Sequence, residues 1–198
     1  LNMIRSGNYG VDLDQFFNAG AYWRATDRYA PHNVYSNFDR LDALSSKKGK
    51  TASTFTPMER KDDKASKAPN ATHINLPISS QWYNVDYSYD AASNSYKRNV
   101  GGEAHNDREG GQISPKVVVA IQVPMTRQLE DGYREQIKTT GSGKAWLFQD
   151  GTVTEATWQR PDVKSQLVLV GADGKPLKLN RGQTWITALP NQKVPTWQ

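Results

Sequence analysis

From Thr72 onward the hydrophobic positions recur with a period of two. Ile74, Leu76 and Ile78 alternate with polar neighbours, and Tyr83, Val85, Tyr87 and Tyr89 alternate with Asn84, Asp86 and Ser88. That spacing places one set of side chains on one face of a strand. After a turn over residues 90–94, Ser95 to Val100 predicts the returning strand. Val117-Val118-Val119-Ala120-Ile121 does not alternate. Such an apolar run, bracketed by Pro115 and Pro124, predicts a central strand buried on both faces. Tyr133 to Thr140 reads as a further strand and Gly141-Ser142-Gly143 as a turn. Ala145 to Phe148 then meets Asp150-Gly151, a dipeptide suited to a tight hairpin. Thr152–Trp158, Gln166–Val170, Leu177–Leu179 and Thr184–Leu189 continue the pattern. Strands about every ten residues with turn signals between them predict an antiparallel β domain.

The N-terminal portion has a different period. Asp12 with Gln15 has the form of a helix start, followed by Phe16, Phe17 and Ala19 and stopped by Gly20, so a short buried helix is expected. Ser36 with Asp39 reads as a second start, and Phe38, Leu41 and Leu44 recur at helical spacing. Lys47 and Lys48 suit the negative helix end and Gly49 terminates it. Residues 50–70 carry Lys, Asp, Ser, Thr, Ala and Pro without periodicity. The fold class expected is α+β: a predominantly antiparallel β-sheet module over residues 72–198, preceded by a short helical segment over residues 1–48. A flexible loop or linker over 49–71 joins them.

Composition changes this picture little. The 198 residues suffice for a sizeable core, and nine Tyr and six Trp favour strands. Without cysteine there is no disulfide, thiolate metal site or cysteine nucleophile. The net charge is +5. Six Lys and Arg60 against three acids between Lys47 and Lys67 supply an excess of four. The charge therefore concentrates in one loop rather than along a face, and no nucleic-acid partner is expected. No run approaches the length of a membrane span.

The densest chemistry follows the aromatic hairpin, where Arg98, Glu103, His105, Asp107 and Arg108 fall within a glycine-rich loop. In an extended loop Glu103, His105 and Asp107 share a face. That makes them candidates for a divalent cation, and makes His105 and Asp107 candidates for general acid–base work. The plainer expectation is that His105 and Asp107 hydrogen-bond each other and the loop backbone. Arg98 shares strand parity with Tyr96 and Val100. On such a face a guanidinium pairs with Asp107 or Glu103, or meets a carboxylate or phosphate ligand. Gly141-Ser142-Gly143-Lys144 lacks phosphate-loop spacing and opens a strand rather than a helix. No Gly-x-Ser-x-Gly occurs, and Trp82, Trp146, Trp158, Trp185 and Trp197 are sugar-stacking or core residues. No cofactor can be named from these residues.

Asp27-Arg28-Tyr29-Ala30-Pro31-His32-Asn33-Val34-Tyr35 resembles a motif of a known family. Tyr87-Ser88-Tyr89-Asp90, Tyr96-Lys97-Arg98, His105-Asn106-Asp107, Asp150-Gly151, Thr157-Trp158 and the segment Asn180 to Ile186 agree with it. The chain resembles the YerB-like family of bacterial putative lipoproteins, a family without an assigned biochemical function. The resemblance implies an extracytoplasmic domain, membrane-anchored in the full-length protein through an N-terminal lipid anchor outside this chain. It also implies a longer N-terminal half, of which residues 1–48 would be the tail. The family's recurrent polar residues map onto Arg28, His32, Asn33, Arg98, His105 and Asp107. Together with Tyr96 these are the candidate ligand-binding positions. The function expected is a cell-envelope binding module for a cell-wall polymer, an anionic ligand or an envelope protein. The alternative is a hydrolase or transferase, with or without a metal, whose composite site joins His32 and Arg28 to His105 and Asp107.

Overall fold

Val117–Val123 organises the C-terminal part of the molecule. The computed structural model describes residues 2–6, 10–53, 55–127 and 135–198. They fall into two compact units, divided between Thr56 and Pro57. Among the described residues no helix is long and apolar enough to cross a membrane.

In the unit from Pro57 onward, one sheet is built from β1 (His73–Leu76), β2 (Val85–Asp90), β3 (Ser95–Val100) and β4 (Glu103–Ala104). A second sheet is built from β5 (Val117–Val123), β6 (Gly141–Gln149), β7 (Thr152–Arg160), β8 (Val168–Val170) and β9 (Thr184–Pro190). The last strand, β10 (Thr196–Trp197), returns to the first sheet. The orders are β10-β1-β2-β3-β4 and β8-β7-β6-β5-β9. Neighbours are antiparallel except β5 and β9, which run parallel with Val118 beside Trp185. A short parallel pair, Arg60–Lys61 with Leu179–Asn180, adds to the mixture. The fold is mainly β with few helices, as the α+β reading requires. The two parallel pairings are departures that an alternating pattern cannot signal, because parallel and antiparallel strands share the same period.

The two faces of β5 explain its unbroken apolar run. Val118 and Ala120 join Ile74, Leu76, Tyr87, Tyr96, Trp146, Phe148 and Leu189 in the core between the sheets. Val117, Val119, Ile121 and Val123 pack on the other face with Ala145, Leu147, Trp158, Leu169 and Leu179. Full burial of each such Val or Leu contributes about 1.5–3 kcal/mol, so a strand buried on both faces anchors two cores at once. The tight turn after β6 is as the sequence predicts: Asp150 and Gly151 both have positive φ, at 58° and 75°.

Several expectations are corrected. Gly141-Ser142-Gly143 is not a turn but the start of β6, paired with residues 158–160 of β7. Gly143 is required there because a Cβ would lie 2.6 Å from the Trp158 indole nitrogen. The segment read as a linker over 49–71 is divided at Pro57. From Arg60 on it is tied to the β module: Ser66 N donates to Asp150 O, and Asn70 N and Ala71 N donate to Gly151 O. The strand expected over Tyr133–Thr140 lies partly outside the described residues, and Glu135–Ile137 pairs with Met125–Arg127.

In the unit up to Thr56, the helix predicted after Asp12 is absent, and Phe16 and Phe17 are exposed. Asp12 and Asp14 instead accept from Asp14 N and Phe16 N at i+2, closing local turns that compete with a helix. The second helix forms over Phe38–Lys47. Its cap is Asn37, which accepts from Arg40 N, while the Ser36 hydroxyl donates to Ala21 O.

Candidate functional site: a groove beside a buried arginine

The β2–β3 hairpin sets Tyr87 opposite Arg98 and Tyr89 opposite Tyr96. Strand alternation turns Tyr96 and Arg98 inward and leaves Lys97 outside. Arg98 is therefore only 6% exposed. Its Nε donates to Tyr87 Oη at 3.3 Å, its Nη1 contacts His105 Nδ1, and its guanidinium lies 4.2 Å from the centre of the Trp185 ring. Among the described residues it has no carboxylate at ion-pair distance and no hydrogen-bond partner for Nη2. Pairing with Asp107 or Glu103, the default expected from the sequence, does not occur. Burial pushes the Tyr87 phenol up to about 12, against the opposing pull of Arg98, so it remains neutral and offers no counter-charge.

His105 is fixed by its backbone, whose N–H donates to Arg98 O and whose carbonyl accepts from Ile113 N. Its ring meets Trp185 edge-on at 5.9 Å. Burial, and then the Arg98 cation, hold its pKa below the ordinary value, so the imidazole is neutral at neutral pH. A guanidinium can only donate, so Nδ1 must carry the lone pair and Nε2 the proton.

Asp107 faces elsewhere. Its Oδ1 accepts from Gly110 N at 2.6 Å and Glu109 N at 3.0 Å. Those two bonds hold its carboxyl below the usual range. The expected His105–Asp107 bond is absent. Glu103 is exposed on the short edge strand, and among the described residues no three His, Asp or Glu side chains converge as a cation site. Local hydrogen bonding by the Asp side chain, rather than shared strand parity, decides where Asp107 points.

Tyr96 is buried, and its hydroxyl accepts from Gly151 N at 3.0 Å, tying the hairpin of the first sheet to the turn of the second. In the N-terminal unit, Asn33 is 9% exposed and organises the 24–35 loop. Its Nδ2 donates to Ala25 O and Arg28 O, and its Oδ1 accepts from Arg24. Arg28 contacts the Tyr35 hydroxyl and Asp27, while His32 is exposed.

Beside this cluster lies a groove of about 790 Å3, lined by Asp107, residues 110–115, Gln183, Thr184 and Trp185. The parallel pairing of β5 with β9 brings these distant stretches together: Lys116 N and Val117 N both donate to Gln183 O. Arg98 and His105 do not line the groove but brace Trp185, which does. Thr184 Oγ1 accepts from Arg60 Nη1 at 2.8 Å, and the same nitrogen donates to Asn180 O. Asp107 and Trp185 are the residues of this lining that the sequence marked for ligand contact. The other positions are neutral or glycine, spread over about seventy residues, and carry no local signal.

A two-layered β module carrying this hairpin and groove matches a described family. Residues 74–186 fit the family model "Protein of unknown function (DUF3048) C-terminal domain", and the chain belongs to that family. It is similar to "Putative lipoprotein YerB" of Bacillus subtilis (strain 168), with 28% identity over 189 residues, covering 94% of this chain and 56% of that protein. The chain thus spans little more than half the length of this relative. The crystal structure of YerB protein from Bacillus subtilis superposes with a TM-score of 0.80 at 25% identity, covering 98% of this chain and 66% of that one. The resemblance drawn from the motifs is confirmed, and the family description assigns no activity.

Proposed function

We propose that the protein is an extracytoplasmic, cell-envelope-associated binding module whose ligand site is the groove at Trp185. The observation that carries this reading is an aromatic side chain on a ligand-sized groove, with its orientation fixed from outside. Trp185 is stacked against the Arg98 guanidinium and met edge-on by His105. A ring held in place loses little conformational freedom when a ligand packs on it, which favours affinity. Neutral amide and hydroxyl groups beside an aromatic surface suit recognition of a polymer chain by stacking and hydrogen bonding. The relative's name as a lipoprotein supports a location at the outer face of a membrane. Under this reading His105 and Asp107 are structural.

Co-sedimentation with purified bacterial envelope material tests the proposal. Wild-type protein should co-sediment, and Trp185→Ala should lose most of that binding while keeping its fold by circular dichroism. Equal binding by the variant would remove the groove from the account.

A second reading, a hydrolase or transferase, draws on the neutral His105 beside Arg98, since an unprotonated imidazole is competent as a base. It requires release of soluble fragments from the same material by the wild type and not by His105→Gln.

A further inference from the structure

We infer that the groove's ligand is an envelope polymer carrying carboxylate or phosphate groups, gripped by Arg60 and favoured by the positive charge of Arg98 behind Trp185. This rests on the groove being a binding site. The two arginines bear on successive residues of its lining. Arg98 stacks on Trp185, and Arg60 donates to Thr184. Neither has a carboxylate at ion-pair distance among the described residues.

For Arg98 this is costly. A guanidinium removed from water needs a counter-charge or a full set of acceptors. Its surroundings supply a neutral phenol, a neutral imidazole and an indole face. The indole offsets part of the cost through its quadrupole, but no formal negative charge is supplied.

Arg60 complements it. Among the described residues its bonds to the protein, to Thr184 and Asn180, both come from Nη1. Nε and Nη2 are therefore open for the two-pronged grip by which arginine holds carboxylate and phosphate oxygens. Arg60 is also exposed, so a ligand reaches it without rearrangement.

The neighbouring charges are otherwise committed. Lys116 pairs with Asp63 at 2.8 Å, and Arg181 pairs with Asp62. Asp107 lines the groove as an anion and opposes an acidic ligand. It therefore provides a substitution of the opposite sign.

Titration by tryptophan fluorescence at low salt, using the full chain, tests the inference. Three probes are compared: oligogalacturonate, its neutral methyl ester, and an oligomer of glycerol phosphate. At least one acidic probe should bind tenfold or more tighter than the methyl ester. The tighter of the two acidic probes identifies carboxylate or phosphate as the preferred group. Arg60→Gln keeps a donor for Thr184 and should reduce the preference for the acidic probe over the ester about fivefold. Asp107→Asn keeps its turn acceptor and should strengthen the acidic probe about threefold. Raising the salt should erode the preference, because partly exposed charges are screened.

Equal affinity for acid and ester, no binding of either acidic probe, or indifference to both substitutions would overturn the inference. Envelope binding that depends on Trp185 but shows no charge preference overturns the inference and leaves the binding-module reading in place. Absence of envelope binding removes both.

Discussion

Replacing Asp150 should unfasten several segments of the β unit at once. Its side chain is 13% exposed and sits at the tip of the β6–β7 hairpin. Oδ1 accepts from Asn94 Nδ2 at 2.8 Å, Asn180 Nδ2 at 2.7 Å and Lys64 N at 3.1 Å, and Oδ2 accepts from Lys61 Nζ at 2.7 Å. Asp150→Ala would leave the fully buried Asn180 amide without this acceptor. Lys61 would keep only Asn180 Oδ1 of these partners. Losing one member of such a network costs about 3–5 kcal/mol, and alanine at positive φ adds about 1–2 kcal/mol. Asp150→Asn tolerates the left-handed backbone and retains one acceptor, so it should cost only about 1–2 kcal/mol.

The Asp150 network also gives a pH signature. Burial pushes the Asp150 carboxyl up, but the bonds from Asn94, Lys61, Asn180 and Lys64 outweigh it and hold it below its ordinary value. The unfolded value is about 3.9. The stabilisation is therefore complete above that value and is lost as pH falls through the lower native one. Urea unfolding of wild type and Asp150→Ala should differ by about 2 M in midpoint at pH 7 for ordinary urea sensitivity, and the gap should narrow toward pH 3. Indistinguishable midpoints at pH 7, or a gap that widens with acid, would refute the reasoning.

Two further substitutions probe the same junction. Gly151→Ala should destabilise by about 2–4 kcal/mol in urea unfolding, because φ is 75° and the new Cβ would lie 2.6 Å from the Tyr89 ring and 2.9 Å from Pro69. Tyr96→Phe should cost about 1–3 kcal/mol by leaving Gly151 N without its acceptor, whereas Lys97→Ala, on the outer face, should be close to neutral by the same measurement.

How much of this was legible beforehand depended on whether the signal was local. The two-faced β5 strand, the Asp150–Gly151 turn and the aromatic hairpin each follow from residues within one short window. The false helix after Asp12 came from reading capping residues whose side chains close turns instead. Gly141 to Gly143 looked like a turn because glycine's reason for being there, the Trp158 ring, lies fifteen residues away. Parity placed Arg98 on the buried face but could not choose its partners. The neighbours are Trp185 and His105, and the Trp185 contact depends on how the two sheets pack. The groove itself was invisible, since it exists only where the parallel β5–β9 pairing brings Gln183–Trp185 beside residues 110–115.

The central claim is that ligand contact occurs at Trp185. The chain has six tryptophans, each giving one indole N–H signal in a proton–nitrogen correlation spectrum. Titration with solubilised envelope polymer fragments should shift the Trp185 signal, assigned from its loss in Trp185→Phe, and leave the buried Trp158 signal in place. Saturable binding that moves the exposed Trp82 signal and leaves Trp185 unmoved would contradict the account.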